Sequence, residues 1–214
     1  MKTFLFLIIL GLGVSGQEND PFEKVAEVSS EWPKRIAPEA ETLALFGEPI
    51  LEGKAQKGHC DIRFIWVPTF NKPFSIRLTK NKDEIDLRVV RMEGKGGYEW
   101  GEVELEKNLK LKEFQFESLV SLVSIDGARE PSQKGTAEYR ENFIAFLSGL
   151  DGSIWYLEVR DEDGYTVEGV PNPLIPDPEE RKKFEEASKL NFKPFLDVCM
   201  QLFTLSELDQ KPKY

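Results

Sequence analysis

The sequence predicts an α+β fold: a mainly antiparallel sheet covered by two or three helices, with an irregular N-terminal arm. Three observations carry that expectation. Apolar residues fall on every second position through Ile62, Phe64 and Trp66, then Phe74, Ile76 and Leu78, then Ile85, Leu87 and Val89, the mark of strands with one buried face. Leu111 to Ile125 then sets Phe116, Leu119, Leu122 and Val123 at helical spacing. The order strands, helix, strands, helix segregates the two kinds of element, as α+β folds do.

The chain opens with the layout of an export signal. Lys2 forms a positive start, Phe4 to Val14 an apolar stretch, and Val14 and Gly16 the small residues before a cleavage point. About eleven apolar residues fall short of the ~20 that a membrane-spanning helix needs. Residues 1–16 are therefore read as a cleaved signal peptide, the mature chain as extracytoplasmic (periplasmic or secreted), with no stable membrane anchor after cleavage. Residues 17–58 carry Pro21, Pro33, Pro38 and Pro49, which allow a short helix over Phe22 to Glu31 but no long one. This stretch reads as an irregular arm, residues 59–207 as a single domain and 208–214 as a disordered tail.

Within the domain, a turn centred on Asn81-Lys82 would set Phe74 opposite Val89, Ile76 opposite Leu87, Leu78 opposite Ile85 and Arg77 opposite Asp86. Gly94, Gly96 and Gly97 interrupt the pattern before a fourth strand through Tyr98, Trp100, Val103 and Leu105. After the helix and a polar loop, Phe143 to Leu150 and Ser153 to Val159 return to strand composition, and Asp163-Gly164 turns the chain into Tyr165 to Val170. Asp177-Pro178-Glu179-Glu180 has the cap, proline and acidic turn of a helix start. That helix is expected to run through Leu190, break near Pro194 and resume, buried, as Phe195 to Leu205.

Removing the signal takes away Lys2 and no acid, so 27 basic and 38 acidic side chains remain, a net charge of about −11. Such a surface repels phosphate backbones and anionic lipid, which argues against nucleic acid and leaves a protein or small-molecule partner. One such partner is a basic secreted enzyme, inhibited by the acidic surface. Cys60 and Cys199 are the only cysteines. In an oxidising compartment an even count makes one bridge natural, closing a loop worth about 5 kcal/mol in the chain-entropy model. Two separate buried thiols are the alternative.

No nucleophile elbow, phosphate loop or paired C-x-x-C occurs, and His59 is the single histidine. No metal site and no cofactor are expected. His59 and Cys60 are adjacent on a strand, so they point to opposite faces and make no dyad. Asp161-Glu162-Asp163-Gly164 lacks the further oxygen ligands of a calcium loop, with Asn172 where the bidentate Glu belongs, and reads as a hairpin turn. Two readings compete for the chemistry. The first is non-catalytic binding of a ligand or partner at a surface around Tyr98, Trp100, Asp151 and Trp155. The alternative is a carboxylate-dependent hydrolase acting on a glycan or similar substrate through acids among Glu99, Glu102 and Asp151, which would need two carboxyls facing one cleft. Arg63, Arg77 and Arg88 share the polar face of the three strands and would grip an anion, unless Arg77 simply pairs with Asp86. Trp66, Trp100 and Trp155 line a pocket or fill the core.

Trp66-Val67-Pro68-Thr69-Phe70 with Pro73, Gly96-Gly97-Tyr98, and Gly149-Leu150-Asp151-Gly152 with Trp155, taken together, resemble an uncharacterised family of exported bacterial proteins. The resemblance covers about residues 60–205. It implies a bacterial origin and one domain in which these glycine-aromatic motifs are turns at strand ends; it implies no activity and no catalytic residue.

Overall fold

The period-two run folds as antiparallel neighbours β1 (His59–Pro68), β2 (Phe74–Asn81) and β3 (Glu84–Met92), in a computed structural model that describes residues 37–129, 152–171, 191–209 and 212. With β4 (Val103–Lys110), β5 (Ser153–Arg160) and β6 (Tyr165–Pro171) they make a six-stranded sheet in the order β4-β3-β2-β1-β5-β6. Every neighbouring pair is antiparallel. Three helices accompany the sheet: α1 (Ala40–Leu45), α2 (Glu113–Val123) and α3 (Lys193–Ser206). The fold is α+β. No described helix is long and apolar enough to cross a membrane. The signal segment, the expected helix over 22–31, the strand over 143–150 and the helix up to Leu190 lie outside the described residues.

The register differs from the expected one by two residues. Asn81 and Glu84 stay paired, so the loop is Lys82-Asp83, with Lys82 at a left-handed φ of 57°. A positive φ at the first loop residue suits the twist of a tight hairpin, and the Lys82 N–H is held by the Gly58 carbonyl at 2.9 Å. Ile76 consequently faces Val89, Leu78 faces Leu87 and Arg77 faces Arg88, while Asp86 faces Thr79 and Lys110. The expected Arg77–Asp86 pair does not form. Because side chains alternate with period two, an even slip leaves every residue on its expected face.

One face of the sheet is apolar. Phe64, Trp66, Ile76, Leu87 and Trp155 lie wholly buried on it, under Leu119 and Val123 of α2 and Phe195, Val198 and Leu202 of α3. Pro194 stands in the first turn of α3, where a missing N–H does no harm, so the expected break is the helix start. At α2 the Gln115 side chain accepts the Lys112 backbone N–H at 2.9 Å, satisfying one backbone donor at the helix start. The fourth strand begins at Val103 rather than Tyr98. Within the residues expected as a tail, Leu208 is buried in this core and Asp209 accepts a hydrogen bond from Arg91.

The expected disulfide is not formed: Cys60 and Cys199 are both free thiols. Cys199 faces the core from α3, fully buried, and Cys60 packs against the rim of the same cluster from the start of β1. Burial, together with Asp161 and Asp61, pushes the Cys60 thiol up to about 12, and burial raises Cys199 as well. Both therefore stay protonated and behave as small apolar groups.

The other sheet face is not the wet face that the alternation suggested. Asp61, Arg63 and Ile65 of β1 are as buried as Ile62 and Phe64. Residues 37–55, the end of the expected arm, lie over this side as a strap that seats Leu43 and Phe46 against Ile65, Val90, Met92 and Tyr156.

Candidate functional site

The loop after β1, the hairpin between β3 and β4, and Gly152 before β5 meet at one end of the sheet. The chain leaves β1 through Thr69, whose N–H donates to the Gly152 carbonyl at 2.7 Å and whose carbonyl accepts the Gly97 N–H at 3.2 Å. Between β3 and β4 the backbone forms a hairpin, Glu93 N–H to Glu102 O at 2.9 Å, Gly94 N–H to Trp100 O at 2.8 Å and Lys95 N–H to Glu99 O at 2.8 Å. Glycine is needed there for close approach. A Cβ on Gly94 would stand 1.9 Å from Glu99 O, and one on Gly96 2.5 Å from Pro68 O. The glycine cluster is thus a packing device that fixes one loop against another.

This frame carries Tyr98, 69% exposed, against Phe70, 49% exposed, with ring centroids 5.8 Å apart and planes inclined by 36°. Phe70, Gly94, Lys95, Tyr98 and Glu99 line an open depression. The expected binding residues do not share one surface. Trp100 is half-buried and meets Phe46 of the strap edge-on at 5.5 Å. Trp155 is wholly buried on the helix-covered face, beside Phe64 and opposite Trp66, its indole N–H donating to Ser153 Oγ at 3.0 Å. It leads Leu157 and Val159 in one period-two run, which is the signal that it belongs to the core. Asp151 lies outside the described residues. Phe70 was missed because a single aromatic in a loop has no periodic signature.

Of the acids of the hydrolase reading, Asp151 lies outside the described residues. Glu99 and Glu102 are exposed, and of the two only Glu99 lines the depression. Asp61 is driven upward by burial, but hydrogen bonds from Arg160, His59 and Thr79 outweigh that and hold its carboxyl below the ordinary range. Asp161 is likewise held down against its burial by Arg129 and by the N–H groups of Gly164 and Asp163, as suits a hairpin turn rather than a calcium ligand. Glu104 is held down by Lys72 and Arg91. Among the described residues no group of His, Cys, Asp or Glu is arranged to hold a metal ion.

Beneath the strap lies a second constellation. Arg63, Arg77 and Arg88 stand directly opposite one another on β1, β2 and β3, three like charges in a row at the roughly 4.8 Å strand spacing, a placement that repels. One carboxylate answers all three. Glu48 Oε2 accepts from Arg77 Nε at 2.6 Å and Arg63 Nη1 at 3.3 Å, and its Oε1 from Arg88 Nη1 at 2.6 Å. The local chain explains the placement. Gly47 takes a left-handed φ of 61° after α1, its N–H returns to Ala44 O at 3.0 Å and the Glu48 N–H to Leu43 O at 2.9 Å. This helix-ending motif aims the residue after the glycine back at the sheet. The Phe46 and Pro49 carbonyls accept from Arg88 and Arg63 at 3.0 and 2.6 Å. On the far side Glu158 accepts from Arg63 Nε and from the Tyr165 hydroxyl, both at 2.6 Å.

The fold and these sites define an antiparallel α+β domain with a stiff aromatic loop end and a charged layer under its strap. A scan against protein-family models finds no match for the chain, and a search of curated proteins finds none.

Proposed function

We propose that this chain is an exported, non-catalytic binding domain that meets its ligand or partner at the loop end, with Phe70 and Tyr98 as the contact pair. The observation that carries the reading is a pair of exposed rings held on closely packed backbone, because Gly96 and Gly97 are packed against Pro68 and Thr69 of the neighbouring loop and Gly94 against the opposite arm of its own hairpin. Rigid aromatic anchors lose little entropy on binding and supply large contact area. Lys95 and Glu99 add one charge of each sign beside the rings, suited to a flat apolar group with polar edges. The export layout of residues 1–16 supports an extracytoplasmic setting.

The test is an NMR titration of the labelled protein with neutral oligosaccharides and short aromatic peptides. The reading expects shifts confined to residues 69–71 and 94–99, lost in the Phe70→Ala/Tyr98→Ala double variant. Glycan cleavage abolished by Glu99→Gln or Glu102→Gln would replace it with the hydrolase.

A further inference from the structure

The loop end leaves the arginine row unexplained. Arg63 also pairs with Glu158 and Arg88 with Glu106, and Asp61 lies 3.8 Å from Arg77, but three guanidinium groups set opposite one another still repel across the strands. The row makes sense as a cradle, because three guanidinium groups converging on two oxygens of one carboxylate is how anion sites are built. Here the anion belongs to the chain itself. It also fits the cradle incompletely: Arg63 Nη2 and Ser75 Oγ, both buried, have no hydrogen-bond partner among the described residues. Ser75 shares the face of the row, one pairing step from Arg77 and Arg63. The row thus holds more donors than the two oxygens of Glu48 engage.

We infer that the row of Arg63, Arg77 and Arg88 is a binding site for a small oxyanion of the phosphate or sulfate type, and that Glu48 is its built-in occupant, exchangeable with the free ion. Within the strap, Gly47 and Gly53, both at left-handed φ, bracket the short segment that carries Glu48. When a free oxyanion takes the place of the carboxylate, the extra oxygens meet donors that Glu48 leaves idle, and Glu48 with its neighbours Gly47 and Pro49 lifts toward solvent. The site is independent of Phe70 and Tyr98, so its failure would leave the loop-end proposal standing.

The experiment removes the internal occupant. In Glu48→Ala, inorganic phosphate or sulfate raises the melting temperature saturably, by about 3 °C at a tenfold excess over the dissociation constant. Sodium chloride at equal ionic strength does not, and acetate, with two oxygens, acts more weakly than phosphate. The gain disappears when Arg77→Met is added. Oxyanions that do no better than chloride overturn the inference. Because Glu48→Ala alone can fail to fold, hydrogen exchange of the wild type is the second readout: phosphate, against chloride at equal ionic strength, speeds exchange at Gly47 and Glu48 and leaves β1 unchanged. Equal exchange in the two salts overturns it as well.

Discussion

The two faces of the sheet are buried by different physics. Under α2 and α3 the contact is hydrocarbon on hydrocarbon, a broad layer in which each side chain adds a little and no single one is indispensable. Under the strap a smaller apolar patch shares the space with a buried ionic cluster in which Arg63 and the Glu48 carboxylate have no exposed side-chain surface. A cluster of that kind adds little net stability when complete, yet loses much when one partner is removed, because the remaining charges cannot reach water. The helix side therefore tolerates trimming by degrees, whereas the strap side depends most on the one carboxylate that all three arginines share.

The largest effect is expected at that residue. Glu48→Ala should lower stability by about 3–5 kcal/mol, as removal of one partner of a buried charge cluster does, measured by urea unfolding. On the helix side Leu202→Ala should lower it by about 3 kcal/mol, the transfer and cavity cost of one buried leucine. If Glu48→Ala costs less than Leu202→Ala, the contrast between the faces fails. Acid should act on the strap side through Asp61. The carboxyl of Asp61, bonded to Arg160 at 2.6 Å, titrates below its ordinary value. Its contribution is complete above the unfolded value of about 4 and is lost as pH falls through the lower folded value. Stability should thus decline below about pH 4, and Asp61→Asn should flatten that decline. The smallest effect is expected at the loop end, where Tyr98→Ala should leave the unfolding midpoint within about 0.5 kcal/mol of wild type. The thiols sharpen the picture of the helix side: with Cys60 pushed up to about 12, iodoacetamide at pH 8 should label the folded chain about a hundredfold more slowly than the urea-unfolded chain.

The same contrast governs how much the sequence revealed. The helix-covered face was legible because Ile62, Phe64, Trp66 and their counterparts repeat with a period that only a strand produces. Parity survives an even slip, so faces were right while partners were not: Arg77 faces Arg88 instead of Asp86. The strap-covered face was hidden because its key residue, Glu48, sits beside Pro49 in a stretch with no periodicity. A trace of it was present, since Ile65, Val67 and Val90 are apolar residues at positions assigned to solvent. The loop end was half legible. Tyr98 was marked by the glycines before it, but Trp155 was drawn into the site by its chemistry although its strand spacing places it in the core, and nothing local marked Phe70 as its neighbour.

The strap side can be tested through the coupling of its two most buried charges. A double-mutant cycle of Glu48→Met and Arg63→Met, followed by urea unfolding, should give a coupling of about 2 kcal/mol or more, the double variant being far less damaged than the sum of the singles. Single effects that add within about 0.5 kcal/mol would mean that Glu48 does not hold the arginine row.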